Sequence, residues 1–393
     1  MLNGSFSPWP AYTREEADAV ARVLLSNRVN YWTGDECREF EREFRRFADS
    51  EYAIAVANGT VALDLALHGL GVGQDPSDEV IVTSRTFLAS VSSIVMAGAR
   101  PVFADVDRDS QNITAASVAE KITPRTRAIV AVHLAGWPCE MDALMKLAER
   151  HGLYVIEDCA QAHGARYHGR SVGSIGHVGC WSFCQDKIMT TGGEGGMVTT
   201  SDGELWRRMW AFKDHGKSWE AVYERDHPPG FRWLHESFGT NWRLTEMQAA
   251  IGRIQLARMP QWKVTRQRHA SRIWQAAAGS PGLRVPRVPT HCDHAAYKCY
   301  VFVEPERLAP GWDRDRVMDE INAAGVPCFS GSCSEVYREK AFDGTGWRPK
   351  APLPVARELG ETSLMFLCHP TLTEDEVART CAVIEEVMAR ACA

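Results

Sequence analysis

Between Tyr52 and Ser201 the chain alternates short apolar runs with helix-like stretches. The runs are Ala53–Ala57, Glu79–Thr83, Pro101–Val106, Ala128–His133, Tyr154–Asp158, Val178–Phe183 and Met197–Thr200. Most are too apolar to alternate between a wet and a dry face, the pattern of strands covered by helices on both sides. Helix-like stretches fall between them at Val61–Gly69, Leu88–Ala97, Ala115–Lys121 and Met141–His151. Repeated strand–helix units predict an α/β domain around a mainly parallel, seven-stranded sheet.

Beyond this region the pattern changes. A helical pattern spans Thr245–Ala278, with a break expected near Pro260, and Pro281, Pro286 and Pro289 follow it. A Tyr/Val/Phe strand at Lys298–Val303 and amphipathic stretches at Arg314–Ala323 and Glu374–Ala389 then predict a smaller α+β C-terminal domain. The expected division is residues 1–255 for an N-terminal segment plus large domain, and 256–393 for the small one. Helices at Arg14–Leu25 and Asp35–Phe47 fit against either.

The 393 residues, 45% hydrophobic, are enough for such a core. Acidic and basic residues are interspersed, with a net charge of -6 and no basic stripe, so nucleic acid is not an expected partner. Met1–Pro10 lacks the character of a signal peptide. No apolar run reaches the roughly 20 residues that span a bilayer. A cytoplasmic protein without membrane contact is expected. Twelve cysteines without a C-x-x-C pair read as reduced, mostly core residues, with no metal site.

Three segments carry chemistry. In the first, Cys180-Trp-Ser-Phe-Cys-Gln-Asp-Lys187 leads into Thr190-Thr-Gly-Gly-Glu-Gly-Gly-Met197. A lysine after an apolar strand needs a reason, and a partly desolvated lysine amine is a usable nucleophile toward an aldehyde. The same segment also reads as a surface lysine before a flexible loop. In the second, Val155-Ile-Glu-Asp158-Cys-Ala-Gln161-Ala-His163-Gly-Ala165, Asp158 ends a strand at the sheet edge where α/β folds place ligands. A carboxylate there suits the protonated nitrogen of a heteroaromatic ring, and His163 is close enough in sequence to hydrogen-bond it. The alternatives are a helix cap for Asp158 and a structural histidine for His163. In the third, Asn58-Gly59-Thr60 opens a helix, as a phosphate cradle or an ordinary capped turn does. The order of the three gives them specificity. A phosphate cradle, a strand-end Asp and a lysine 29 residues later are the handles that pyridoxal 5'-phosphate (PLP) requires.

In this order the sequence resembles the DegT/DnrJ/EryC1/StrS family of PLP-dependent nucleotide-sugar aminotransferases. The matching stretches include Tyr31-Trp-Thr-Gly34, Ala57-Asn-Gly-Thr60, Thr86-Phe87, Glu157-Asp-Cys-Ala-Gln-Ala-His-Gly-Ala165, Ser182-Phe183 with Lys187, Gly193-Glu-Gly-Gly196, and Gly239-Thr-Asn-Trp-Arg-Leu-Thr-Glu. The resemblance implies the fold of type I PLP aminotransferases, with Lys187 as the catalytic residue that holds the cofactor and shuttles a proton. It assigns Asp158 and Gln161, with His163 beside them, to the cofactor ring's polar atoms and Phe87 to its face. Gly59, Thr60 and Ser182 would take the phosphate. Asn241 would reach it from the neighbouring subunit of a homodimer. His215 and Arg243 are weaker candidates for the substrate; each equally reads as a turn or ion-pair residue. Lys298, in Ala296-Tyr-Lys-Cys-Tyr300, stands where many members have a histidine near the sugar, so it too is a substrate candidate. Cys328-Phe-Ser-Gly-Ser-Cys-Ser-Glu-Val-Tyr337 departs from the family as well.

The implied reaction moves an amine from glutamate to a nucleotide-linked keto-sugar, at C4 of a 4-keto-6-deoxy sugar before C3, in the making of deoxyamino sugars such as those of lipopolysaccharide O-antigens. Lys187 argues against a non-catalytic sensor on this fold. A desulfurase would need a reactive cysteine in a mobile loop, and no cysteine sits in such a motif.

Overall fold

The structure, a computed structural model, describes residues 6–226 and 233–392; residues 1–5 of the polar N-terminal segment lie outside them. The first nine strands are β1 (Tyr52–Val56), β2 (Glu79–Thr83), β3 (Arg100–Ala104), β4 (Thr126–Val132), β5 (Tyr154–Asp158), β6 (Arg166–Tyr167), β7 (Arg170–Ser171), β8 (Val178–Ser182) and β9 (Gly196–Thr200). Seven of them form one sheet in the order β1-β9-β8-β5-β4-β2-β3. Pairs β3–β2, β2–β4, β4–β5 and β5–β8 are parallel; β9 runs antiparallel to both neighbours. The reversal follows from the connection, because the chain returns from β8 to β9 through a glycine-rich loop rather than a crossover helix.

Consecutive residues of β8 show why these strands read as continuously apolar. The Cys180 thiol faces the carbonyl of Ala62 in the helix Gly59–Gly69, while Trp181 packs at 5.2 Å on Phe44 of the helix Glu36–Phe47. Each face of the sheet is therefore dry.

The C-terminal part of the chain holds β10 (Leu283–Arg284), β11 (Cys292–Asp293), β12 (Cys299–Val303), β13 (Cys328–Phe329) and β14 (Ser363–Phe366). Four of these form an antiparallel sheet, β10-β12-β14-β13, and the helices Arg314–Ala323 and Glu374–Ala391 share its core. β11 instead pairs with β6, which ties this segment to the large domain. Phe6 joins the small-domain core.

The expected break at Pro260 does not occur. One helix runs without interruption from Glu246 to Gly279, opened by a capping box between Thr245 and Gln248. An interior proline costs about 3 kcal/mol through its lost hydrogen bond and steric clash. The helix offsets this by packing on Arg14–Leu25, Glu36–Phe47 and Glu374–Ala391. It also crosses the expected domain division at 255/256.

Arg85 joins the N-terminal and C-terminal parts of the chain. Its buried guanidinium donates to Gln111 and to the hydroxyls of Ser334 and Ser363. The next residue, Thr86, donates its backbone N–H to the carbonyl of Cys333. This anchors the start of the Thr86-Phe87 loop beside the carboxyl ends of the strands.

Candidate active site

Asp158 ends β5 and is buried. Its Oδ2 accepts from the Ser90 hydroxyl at 2.7 Å and its Oδ1 from the Ala160 N–H at 3.1 Å. Ser90 also lies 2.8 Å from the Thr86 hydroxyl, so a buried Thr86–Ser90–Asp158 chain orients the carboxylate. The expected bond from His163 is not made. The His163 ring is fully buried against Trp181 and Phe183, and neither of its nitrogens has a side-chain partner. Burial, helped by the positive charges of Lys187 and Arg266, lowers its pKa to about 3, so it is a neutral packing group near the site.

Lys187 follows β8 by a tight turn in which its N–H donates to the Cys184 carbonyl. The glycine-rich loop is folded back onto this turn: the Phe183 N–H donates to Gly195, and the Thr191 N–H donates to Phe183. Gly193, with φ of 128°, holds a backbone conformation that residues with a Cβ rarely adopt. A further support was not foreseen from the sequence, since the Trp9 indole N–H donates to the Lys187 carbonyl at 2.9 Å. The Lys187 amine lies 5.5 Å from the centroid of the Tyr297 ring, whose hydroxyl donates to Asp186 at 2.6 Å. Burial pushes the Asp186 carboxyl up, but the Lys187 charge and the Tyr297 hydroxyl outweigh it and hold the group below its ordinary value.

Gly59 and Thr60 form the first turn of the helix Gly59–Gly69, capped by Asn58, whose side chain accepts from the Val61 N–H. A Cβ at Gly59 would stand 2.5 Å from Cβ of Ser182, so glycine alone lets the helix start approach this serine. Free helix N–H groups and two hydroxyls, from Thr60 and Ser182, together suit a phosphate. Gln161 accepts the Ala135 N–H through Oε1 at 2.9 Å, which leaves its NH₂ as an outward donor. Ala135 lies in the left-handed region (φ 56°), and its carbonyl accepts from the Tyr297 N–H. The small-domain segment bearing Tyr297 and Lys298 is thereby pinned beside Gln161. Phe87 is 69% exposed although its neighbours Thr86 and Arg85 are buried, so its ring faces are free to meet a ligand.

The remaining candidates separate. Lys298 does join the site, with its amine 4.9 Å from the Tyr297 centroid. Arg243 instead forms an ion pair with the fully buried Asp214, which also receives Lys217 at 3.4 Å. His215 is exposed in a left-handed turn (φ 60°), its N–H bonded to the Thr240 carbonyl, and no contact among the described residues links it to Lys187. Asn241 is exposed on the same surface. Ser90 was legible in principle, since it lies one helical turn after Thr86. Trp9 carries no periodic or spacing signal.

Taken together, the Lys187 amine, the oriented Asp158 carboxylate, the NH₂ donor of Gln161 and the cradle that a Cβ would fill fit PLP. This is the fold and donor set of a PLP-dependent aminotransferase of type I. The profile of the DegT/DnrJ/EryC1/StrS aminotransferase family matches residues 10–385, and the chain belongs to that family. It is 37% identical over 374 residues to a dTDP-3-amino-3,4,6-trideoxy-alpha-D-glucose transaminase of Streptomyces venezuelae, covering 95% of this chain and 92% of that one. It is 35% identical over 369 residues to a UDP-N-acetyl-3-dehydro-alpha-D-glucosamine 3-aminotransferase of Acidithiobacillus ferrooxidans, covering 94% and 92%. An aminotransferase structure from Psychrobacter cryohalolentis is 64% identical and superposes with a TM-score of 0.96 over 98% of this chain and 99% of that one. Among the described residues no helix is long and apolar enough to cross a membrane.

Proposed function

We propose that this enzyme moves an amino group from glutamate to the ketone of a nucleotide-linked sugar, and that Lys187 is its catalytic residue. One observation carries the assignment of the site: Asp158 and the Lys187 turn leave the same edge of two paired strands, β5 and β8, in the register Asp158↔Cys180. At this shared edge Asp158 would hold the ring nitrogen of the cofactor and Lys187 its aldehyde carbon. For the acceptor we place the ketone at C3, because both relatives named above have carbon 3 in their names. The C4 ketone expected from the sequence is the second reading, supported by the family resemblance.

When bound, PLP supplies the electron sink for the C–H bond broken beside the transferred nitrogen. The chain's own residues do the rest. Asp158, fixed by Ser90 and Ala160, keeps the ring nitrogen protonated. The Gln161 NH₂ donates to the phenolic oxygen, Phe87 covers the ring, and Gly59, Thr60 and Ser182 hold the phosphate. The Lys187 amine holds the cofactor and moves the proton between the cofactor carbon and the sugar carbon.

Asn241 we assign to the phosphate of a partner subunit in a homodimer. This is supported by its exposure and by the bare aromatic rings of Trp233 (83% exposed) and Phe238 (97%) on the adjoining segment.

Lys187→Ala should abolish both borohydride-trappable cofactor and turnover. A panel of dTDP-, UDP- and GDP-linked 3-keto and 4-keto sugars, incubated with glutamate and read by mass, identifies the acceptor. Absence of amination across the whole panel would sink the sugar assignment.

A further inference from the structure

Two amines lie near the ring of Tyr297, Lys187 at 5.5 Å and Lys298 at 4.9 Å from its centroid. A third cation is close enough to act on Lys298. The Arg266 guanidinium is buried, donates through Nη1 to the Tyr297 carbonyl at 3.4 Å, and leaves Nε and Nη2 without an oxygen acceptor. Its other neighbours are the face of Trp9 and the thiol of Cys368. Against these three positive groups stands Asp186, whose carboxylate already accepts from the Tyr297 hydroxyl. The two nearby imidazoles, His163 and His369, are kept neutral by burial, each lowered to about 3. Among the described residues the Lys298 amine has no hydrogen bond and no ion pair. Burial lowers it to about 8, with Asp186 offsetting only part and Arg266 and Lys187 adding to the shift.

A largely desolvated cation that shares one carboxylate with two other cations is costly, and an anionic ligand that pairs with it recovers part of that cost on binding. Which anion is decided by connectivity. In an amino donor, a carboxylate sits on the very carbon that bears the transferred nitrogen, so it lies one bond from the reacting carbon held at Lys187. In a nucleotide-linked sugar, the diphosphate is separated from a C3 or C4 ketone by the anomeric carbon and the sugar ring. We infer that Lys298, next to the Tyr297 carbonyl that Arg266 holds, is the receptor for the α-carboxylate of the amino donor, a subsite near Lys187. This rests on the aminotransferase reading and adds to it a site for the first half-reaction.

The test uses the cofactor-loaded enzyme and the unreactive dicarboxylate glutarate, whose binding is read from the cofactor's absorbance. Lys298→Met should weaken glutarate binding at least tenfold and raise the glutamate concentration for half-maximal conversion of the cofactor by a similar factor. Lys298→Arg should restore most of both. UDP and dTDP, bound in competition with a fluorescent nucleotide, should lose much less affinity in Lys298→Met than glutarate does. Equal losses for glutarate and the nucleotides, or a loss for the nucleotides alone, would overturn the proposal and give Lys298 to the sugar nucleotide. Unchanged glutarate binding in Lys298→Met would overturn it too. Failure of the aminotransferase reading looks different: wild-type enzyme would bind glutarate, but no amino acid would convert its cofactor.

Discussion

Ser90 donates its hydroxyl to Asp158 at 2.7 Å and lies 2.8 Å from the hydroxyl of Thr86, one turn earlier in the chain. The orientation of the strand-end carboxylate is thus set by the helix that follows Phe87, not by the histidine five residues downstream. Ser90→Ala leaves Asp158 only the Ala160 N–H. A hydrogen bond to a charged group contributes about 1.5–3 kcal/mol, so kcat should fall roughly tenfold or more. Ser90→Thr, which keeps the hydroxyl, should recover most of it. Steady-state rates with cofactor content measured in parallel check this, and an unaltered kcat in Ser90→Ala would remove Ser90 from the site.

Gly59 and Ser182 are too close for a side chain between them. Gly59→Ala should displace the helix start and weaken PLP retention by about tenfold, the scale of one lost charge-assisted hydrogen bond. Adding Ser182→Gly relieves the overlap but removes a phosphate hydroxyl, so the double variant should not regain wild-type affinity. Equilibrium dialysis against PLP reads both variants beside the wild type. Full retention in Gly59→Ala would show that the phosphate sits elsewhere.

Gln161 has two different jobs on its two amide atoms. Gln161→Glu keeps an acceptor for the Ala135 N–H but replaces the outward donor with a carboxylate oxygen. The melting temperature should therefore hold, while the cofactor's absorbance maximum shifts and turnover drops by about tenfold. Gln161→Leu loses both functions and should also melt earlier. A spectrum unchanged in the glutamate variant would contradict the assignment to the phenolic oxygen.

Glu157, fully buried next to Asp158, accepts from His133 and from the backbone N–H groups of Gly173, Ile175 and Gly176. Burial pushes its carboxyl up, but these donors outweigh it and hold the group below its ordinary value of 4.5. A lowered carboxylate stabilises the fold above its unfolded value and loses that contribution as pH falls through the folded one. The wild type should therefore lose stability on acidification below about pH 4.5. Glu157→Gln should be less stable by about 3 kcal/mol near neutrality, as when one partner of a buried pair is removed, and its curve should be flatter in acid. Thermal melts across pH 3 to 6, a window of about a unit or more on each side of the unfolded value, decide it.

The homodimer proposed above would share its sites, which a mixing experiment tests. Lys187→Ala and Asn241→Ala should each be impaired alone, yet mixed and re-equilibrated dimers should regain activity, since one site of the hybrid is then intact. Mixtures no more active than the better parent would place Asn241 outside the partner's site.

The sheet was legible because its strands are dry on both faces and its helices amphipathic. Edges of elements such as Glu79–Thr83, Tyr154–Asp158 and Met141–His151 coincide with the apolar pattern. Pro260 misled because local propensity says nothing of the three helices that pack around it. At the site, the position of Asp158 at the end of β5 and of Lys187 in the turn after β8 follows from the strand pattern. His163 could not, since proximity in sequence does not tell which way a buried ring turns, and Ser90 occupies the place expected for it. Trp9 and Tyr297 reach the Lys187 turn over 178 and, through Asp186, 111 residues of separation. No spacing rule spans such gaps.

The uninterrupted helix from Glu246 to Gly279 has a mechanical consequence. One rod packs against helices from both ends of the chain, and the Arg85 hydrogen bonds tie Gln111 to Ser334 and Ser363 at a second place. Two ties of this kind resist the swing of one part over the other, so the successive reactants are expected to be told apart more by what lines the site than by how far it closes.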